Sequence, residues 1–94
     1  MHERALLDDV MRKLADVAAA NDAVRVTRVK VRFGPLSHFT PEHFREHFVD
    51  AARGTVAENA EVDAELDTTL TGERAAGVVL DDVEVEIADT AEAR

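Results

Sequence analysis

The chain contains no cysteine, which excludes disulfides, thiolate zinc sites and thiol catalysis. Tryptophan and tyrosine are absent as well, and the four phenylalanines are the whole aromatic complement. Val, Leu and Ala must therefore fill most of a lean core. No apolar run of ~18 residues occurs, nor a signal-peptide h-region, so a soluble, cytoplasmic protein with no membrane segment is expected. Lysine is scarce, with Lys13 and Lys30 set against nine arginines.

What is present is acid. The 94 residues carry a formal net charge of -9, unevenly spread: residues 24–53 hold six basic and three acidic side chains, and residues 54–94 hold two basic and twelve acidic. Nucleic acid is excluded as a partner, because counterion release needs clustered Lys and Arg that the acidic half would oppose. The acidity reads first as a solvated surface, and with the preference for Arg it fits a halophilic, salt-rich cytoplasm that screens self-repulsion. A chain of this length supports one domain, so residues 1–88 are expected to form it, with 89–94 as a frayed tail.

Residues 4–20 repeat apolar side chains at helical spacing, from Leu6 and Leu7 through Val10, Met11, Leu14, Val17 and Ala18, and Asn21-Asp22 ends the run. From Val26 to Phe33 the period becomes two, with Val29, Val31 and Phe33 on one face and Arg28, Lys30 and Arg32 on the other, until Gly34-Pro35 stops the strand. Thr40-Pro41-Glu42 is a helix start, with a capping hydroxyl, a proline at the first position and an acid at the positive end. This helix should run to Arg53 with Gly54 as its stop, and bury Phe44, Phe48 and Ala51 or Ala52.

Val62, Ala64 and Leu66 alternate with Glu61, Asp63, Glu65 and Asp67, and Val83, Val85 and Ile87 alternate with Glu84 and Glu86, giving two more half-buried strands. The segment 68–82 reads as a loop, with 78–80 available to extend the last strand and a hairpin as the simplest connection. The order α-β-α-β-β predicts an α+β two-layer sandwich, two helices packed on one face of a mixed three-stranded sheet. Arg28, Lys30 and Arg32 should then meet carboxylates on a neighbouring strand.

The amino terminus carries the metal chemistry. The Met1 amine, the His2 main-chain amide once deprotonated and the His2 ring are three nitrogens in chelating sequence, closing five- and six-membered rings. The open in-plane position suits Ni(II) or Cu(II), and Glu3 can fill it. Binding should depend on pH because the ligands must lose protons.

Met1-His2-Glu3 followed by an amphipathic helix, then Val26-Thr27-Arg28-Val29-Lys30-Val31-Arg32-Phe33-Gly34, Leu36-Ser37, Pro41-Glu42 and Arg53-Gly54-Thr55, resembles the HypA/HybF metallochaperones. The likeness runs through residues 1–67 and resumes at Val83 to Ile87. It implies a nickel-binding domain that helps insert Ni(II) into hydrogenase, or urease in some organisms, with a GTPase or the nickel enzyme as partner. Met1, His2 and Glu3 match the family's Met-His-Glu start, so 1–88 is expected to be a nickel-binding-type domain. The family inserts a zinc domain with paired Cys-x-x-Cys motifs between its last two strands. Here 68–82 stands in that place without cysteine, so zinc is not expected.

Three further histidines are candidates. His38 lies in the loop that the resemblance brings near the amino terminus, where it or Thr40 could complete the metal site. His43 and His47, four apart on a helix, share a face and can grip an ion, although residues flanked by Phe44 and Phe48 more often sit at a core boundary. Ser37-His38 lacks a nucleophile motif and the carboxylates fall on solvent faces, so no enzymatic activity is expected. The competing reading is a diverged protein-interaction domain of the same fold without metal transport, and the open edges of a three-stranded sheet would also allow a homodimer.

Overall fold

The computed structural model describes residues 3–37 and 39–87, with Glu3 described through its backbone alone. The elements are α1 (Glu3–Ala20), β1 (Ala23–Phe33), α2 (Pro41–Ala52), β2 (Glu61–Leu66), a 3-10 helix (Gly72–Ala76) and β3 (Val78–Ile87). They form two layers, with the helices on the apolar face of a three-stranded sheet of order β2-β1-β3.

Helix α1 buries Leu6, Leu7, Val10, Leu14 and Ala18, the stripe that its spacing dictates. Asp22 then turns the chain with φ 54, a left-handed conformation that Asp tolerates better than most side chains. Strand β1 lies at the centre, with Val29, Val31 and Phe33 at 0% exposure. It begins at Ala23, three residues earlier than the alternation predicts, because its pairing with β3 is irregular between Val26 and Arg28. That bulge puts Val26 and Val29 in the same core despite their odd spacing.

Thr40 caps α2 as its sequence demands, its hydroxyl accepting from the His43 N–H at 3.1 Å, with Pro41 in the first turn. The helix ends at Ala52, with Arg53 as its C-cap and Gly54 at φ 81 beyond it. Phe44, Phe48 and Ala52 are the buried positions. Phe33 and Phe44 meet edge to face at 5.2 Å between ring centroids, so the few aromatics join sheet to helix.

The expected hairpin between the last two strands is not formed. Strand β2 pairs parallel to β1 on one side and β3 pairs antiparallel to β1 on the other, so the two acidic strands never meet. Electrostatics explains the choice: Glu61, Asp63 and Glu65 beside Glu84 and Glu86 would set like charges opposite each other, whereas a basic strand between them satisfies both. Arg28 pairs with Asp63 at 3.1 Å and Glu84 at 3.5 Å, and Arg32 pairs with Asp67 at 2.6 Å and Asp81 at 3.1 Å. Lys30 reaches Glu65 and Asp81, each at 3.9 Å, and Arg25 pairs with Glu86.

The segment expected as a loop is partly ordered. It holds the 3-10 helix, and residues 78–80 do extend the last strand, which begins at Val78. At the ends of the sheet the alternation fails to bury its last members: Leu66 is 57% exposed and Ile87 52%, since each lies at the terminus of an edge strand where cover from the helices runs out.

Candidate metal centre

Helices α1 and α2 pack side by side on the sheet, and between them opens a cleft of about 490 Å³ lined by Arg4, Leu7, Asp8, His47, Asp50 and Ala51. Its position follows from the two apolar stripes. Leu7 turns inward to the core from the first turns of α1, leaving Arg4 and Asp8 at the rim, while on α2 the burial of Phe48 sets His47 and Asp50 beside the same opening. Helical spacing assigns Leu7 and Ala51 to the apolar stripes and His47 to a stripe's edge. It does not reveal that the two stripes' edges face one another, and the cleft has no signature in the sequence.

Glu3 is the first residue of α1. Met1, His2, the Glu3 side chain and His38, the residues of the expected chelate, lie outside the described residues. Thr40, the other residue proposed to complete it, has its hydroxyl engaged as the α2 cap. Among the described residues no group of three or more His, Asp or Glu side chains is arranged to hold a metal ion.

His43 and His47 do come together. Their ring centroids are 4.3 Å apart with 43° between the planes, and each takes part in an interaction beyond this pair. The Phe39 ring lies on the other side of His43 at 6.2 Å. His43 is exposed and His47 half-buried, a pair on the boundary of the Phe44–Phe48 stripe.

The loop from β1 to α2 is held from below by the 67–77 segment. The Gly34 N–H donates to the Gly77 carbonyl at 3.0 Å and the Leu36 N–H to the Ala75 carbonyl at 2.6 Å. Leu70 and Ala75 are buried. Asp67 anchors the start of this segment. Its carboxyl is held below the ordinary value of 3.8, first by the Thr69 hydroxyl, then by the Thr69 N–H and the Arg32 guanidinium. Gly34 and Gly77 punctuate the sequence, but the contact between them is long-range.

Comparison with known proteins places this architecture. A family model described as "Hydrogenase/urease nickel incorporation, metallochaperone, hypA" matches residues 1–72. The hydrogenase maturation factor HypA of Methylocella silvestris is 36% identical over 66 residues, covering 70% of this chain and 58% of that protein. The HypA of Methanothermobacter thermautotrophicus is 35% identical over 66 residues, covering 70% and 54%. The chain thus spans little more than half the length of these relatives. The solution structure of the nickel metallochaperone HypA from Helicobacter pylori superposes with a TM-score of 0.79 at 15% identity, over 94% of this chain and 100% of that one, which establishes a shared fold. With the family match running unbroken from Met1 across α1, β1, α2 and β2, the chain belongs to the HypA family of hydrogenase/urease nickel-incorporation metallochaperones.

Proposed function

We propose that this chain captures Ni(II) as cargo for the maturation of a nickel enzyme such as hydrogenase, using Met1, His2 and Glu3 as ligands with His38 as a candidate addition. Residues 1–88 act as one nickel-binding-type domain, and 89–94 form its tail. One observation carries the reading: the family match begins at Met1 itself, with a tripeptide whose nitrogens suit a square-planar ion and a helix that starts at Glu3. A helix there limits the freedom of the third residue and lowers the ordering entropy of chelation.

A nickel cargo must be releasable. A site made of a terminal amine, one amide nitrogen, one imidazole and one oxygen releases its ion when those nitrogens regain protons, so proton uptake can drive transfer. The receiving partner would be the nickel enzyme or a GTPase that serves it, in keeping with the hydrogenase maturation named for the relatives.

Calorimetric titration of the untagged protein with NiCl2 should give one equivalent of diamagnetic, square-planar Ni(II) with proton release. That signature should vanish in His2→Ala and with one extra residue before Met1. Failure of the untagged protein to form the square-planar species would overturn the proposal.

A second reading, an interaction domain of the same fold without metal transport, is favoured by the cysteine-free segment that closes the sheet. It predicts a partner captured equally well by the native chain and by His2→Ala, with no dependence on added nickel.

A further inference from the structure

We propose that His43 and His47 form a two-imidazole site on α2 that holds a divalent transition-metal ion such as Ni(II). The inference stands on the geometry of α2 and does not depend on the reading of Met1, His2 and Glu3.

The first support is distance. Two imidazoles bound through nitrogen at ~2.0–2.1 Å, with about a right angle at the metal, hold their ring centroids about 4.5–5 Å apart. In the structure the separation is 4.3 Å with 43° between the ring planes, close to that span, and side-chain rotation has only to aim one nitrogen of each ring at the ion. Residues four apart on a helix come this close because they lie one turn above each other. The scaffold is rigid: Phe44 and Phe48, each 1% exposed, alternate with the two histidines and fix the roll of the helix, while the Thr40 cap fixes its start.

The second support is access and charge. His43 is exposed and His47 lines the open cleft between α1 and α2, so an ion there would keep water in its remaining positions. Glu42, Glu46 and Asp50 on α2 and Asp8 across the cleft bring negative charge to the region, against the cations Arg4 and Arg45. No third His, Asp or Glu among the described residues completes a cage. The site is therefore open, water-rich and exchangeable, unlike a closed structural zinc site. The ion must share or replace the contacts that both rings already make, which further weakens its hold. Two imidazoles plus water favour six-coordinate, paramagnetic Ni(II), in contrast to the diamagnetic square-planar form expected of the tripeptide.

The test uses the full chain extended by Gly-Ser before Met1, which removes the terminal-amine chelate whether or not that chelate functions. Added NiCl2 should broaden the ring-proton resonances of His43 and His47 before those of His2 and His38. His47→Gln should weaken binding at least tenfold and abolish the broadening at His43. His43→Gln, at an exposed position, should do the same to His47 while the amide spectrum keeps the dispersion of the folded protein. Absence of nickel binding to the extended chain, broadening centred on His2 or His38, or unaltered affinity in His43→Gln would each overturn the proposal, and because the extension removes the terminal-amine chelate, none of these results tests the square-planar site of the untagged protein.

Discussion

Gly34→Ala is the substitution that most directly tests how the sheet is closed. A Cβ on Gly34 would sit 2.2 Å from the Ala75 carbonyl oxygen, 2.3 Å from that of Arg74 and 2.4 Å from the Ala75 carbonyl carbon. These are backbone atoms of the 3-10 helix and cannot rotate away. Moving from 2.2 Å to an ordinary contact of 3.4 Å requires a retreat of about 1.2 Å. That retreat carries the bonds from Gly34 to Gly77 and from Leu36 to Ala75, now 3.0 and 2.6 Å, towards or beyond hydrogen-bonding range. Two lost hydrogen bonds at about 0.5–1.5 kcal/mol each agree with the usual cost of overpacking, about 1–3 kcal/mol. Both describe one displacement, so the expected loss is about 2–3 kcal/mol, a large part of the ~5–14 kcal/mol typical for a domain of this length. Urea denaturation would show a lower midpoint at unchanged slope, and amide exchange would accelerate at Leu36 ahead of the β1 centre. Gly54→Ala is the comparison: nothing lies within 4 Å of its Cβ, and only its φ of +81 opposes the change, at about 1 kcal/mol. A Gly34→Ala protein within about 0.5 kcal/mol of wild type and still protected at Leu36 would refute the reasoning, because surface changes commonly fall in that range.

Thr40→Ala should cost about 1 kcal/mol by removing the α2 cap, read as a lower thermal midpoint, and an unchanged midpoint would show that the His43 N–H finds another acceptor. Asp67 gives an acid limb to stability. Its carboxyl value is lowered in the folded state, so the unfolded chain binds more protons as the pH falls. The contribution is full above about pH 4 and lost as pH drops through the folded value. Asp67→Asn should therefore flatten the decline in urea midpoint below about pH 4, and an unaltered acid limb would sink the assignment. Because backbone bonds and apolar burial close the 67–77 segment, EDTA should leave the thermal midpoint within about 2 °C, whereas a protein held by structural zinc loses its fold on chelation.

Helix α1, the central face of β1 and the start of α2 were legible because each is written locally: a 3.6-residue stripe, a two-residue alternation, and Thr40-Pro41 as a cap. The order of the strands was not. Alternation says that β2 and β3 are each half-buried, but it is silent about which strand each one pairs with, and proximity in sequence pointed to a hairpin. The answer lay in charge, since acidic strands need the Arg25, Arg28, Lys30 and Arg32 face between them. The bulge at Val26–Arg28 was hidden for a different reason: pairing irregularities come from the partner strand. For the candidate ligands, chemistry pointed to Met1, His2 and Glu3, and the spacing of His43 and His47 implied a shared face. The contact of their rings at 4.3 Å required the folded helix.

The closing segment also bears on the proposed metal ligands, through the loop that it supports. Resemblance to the family places a zinc module between the last two strands, and here the same position is filled by Gly72–Ala76, bonded through Ala75 and Gly77 to Leu36 and Gly34. From Leu36 the chain runs directly through Ser37, whose hydroxyl accepts the Phe39 N–H at 3.2 Å, past the position of His38 to the Thr40 cap. Each of these bonds restricts the backbone that leads to His43 and His47. A displacement of the 3-10 helix would thus loosen the α2 entrance before it disturbed the core, because Phe44 and Phe48 hold the helix body independently through Phe33. Gly34→Ala therefore separates two roles: if the closing segment serves only stability, nickel affinity per folded molecule stays constant, and if it positions the loop, affinity falls while the folded fraction remains high.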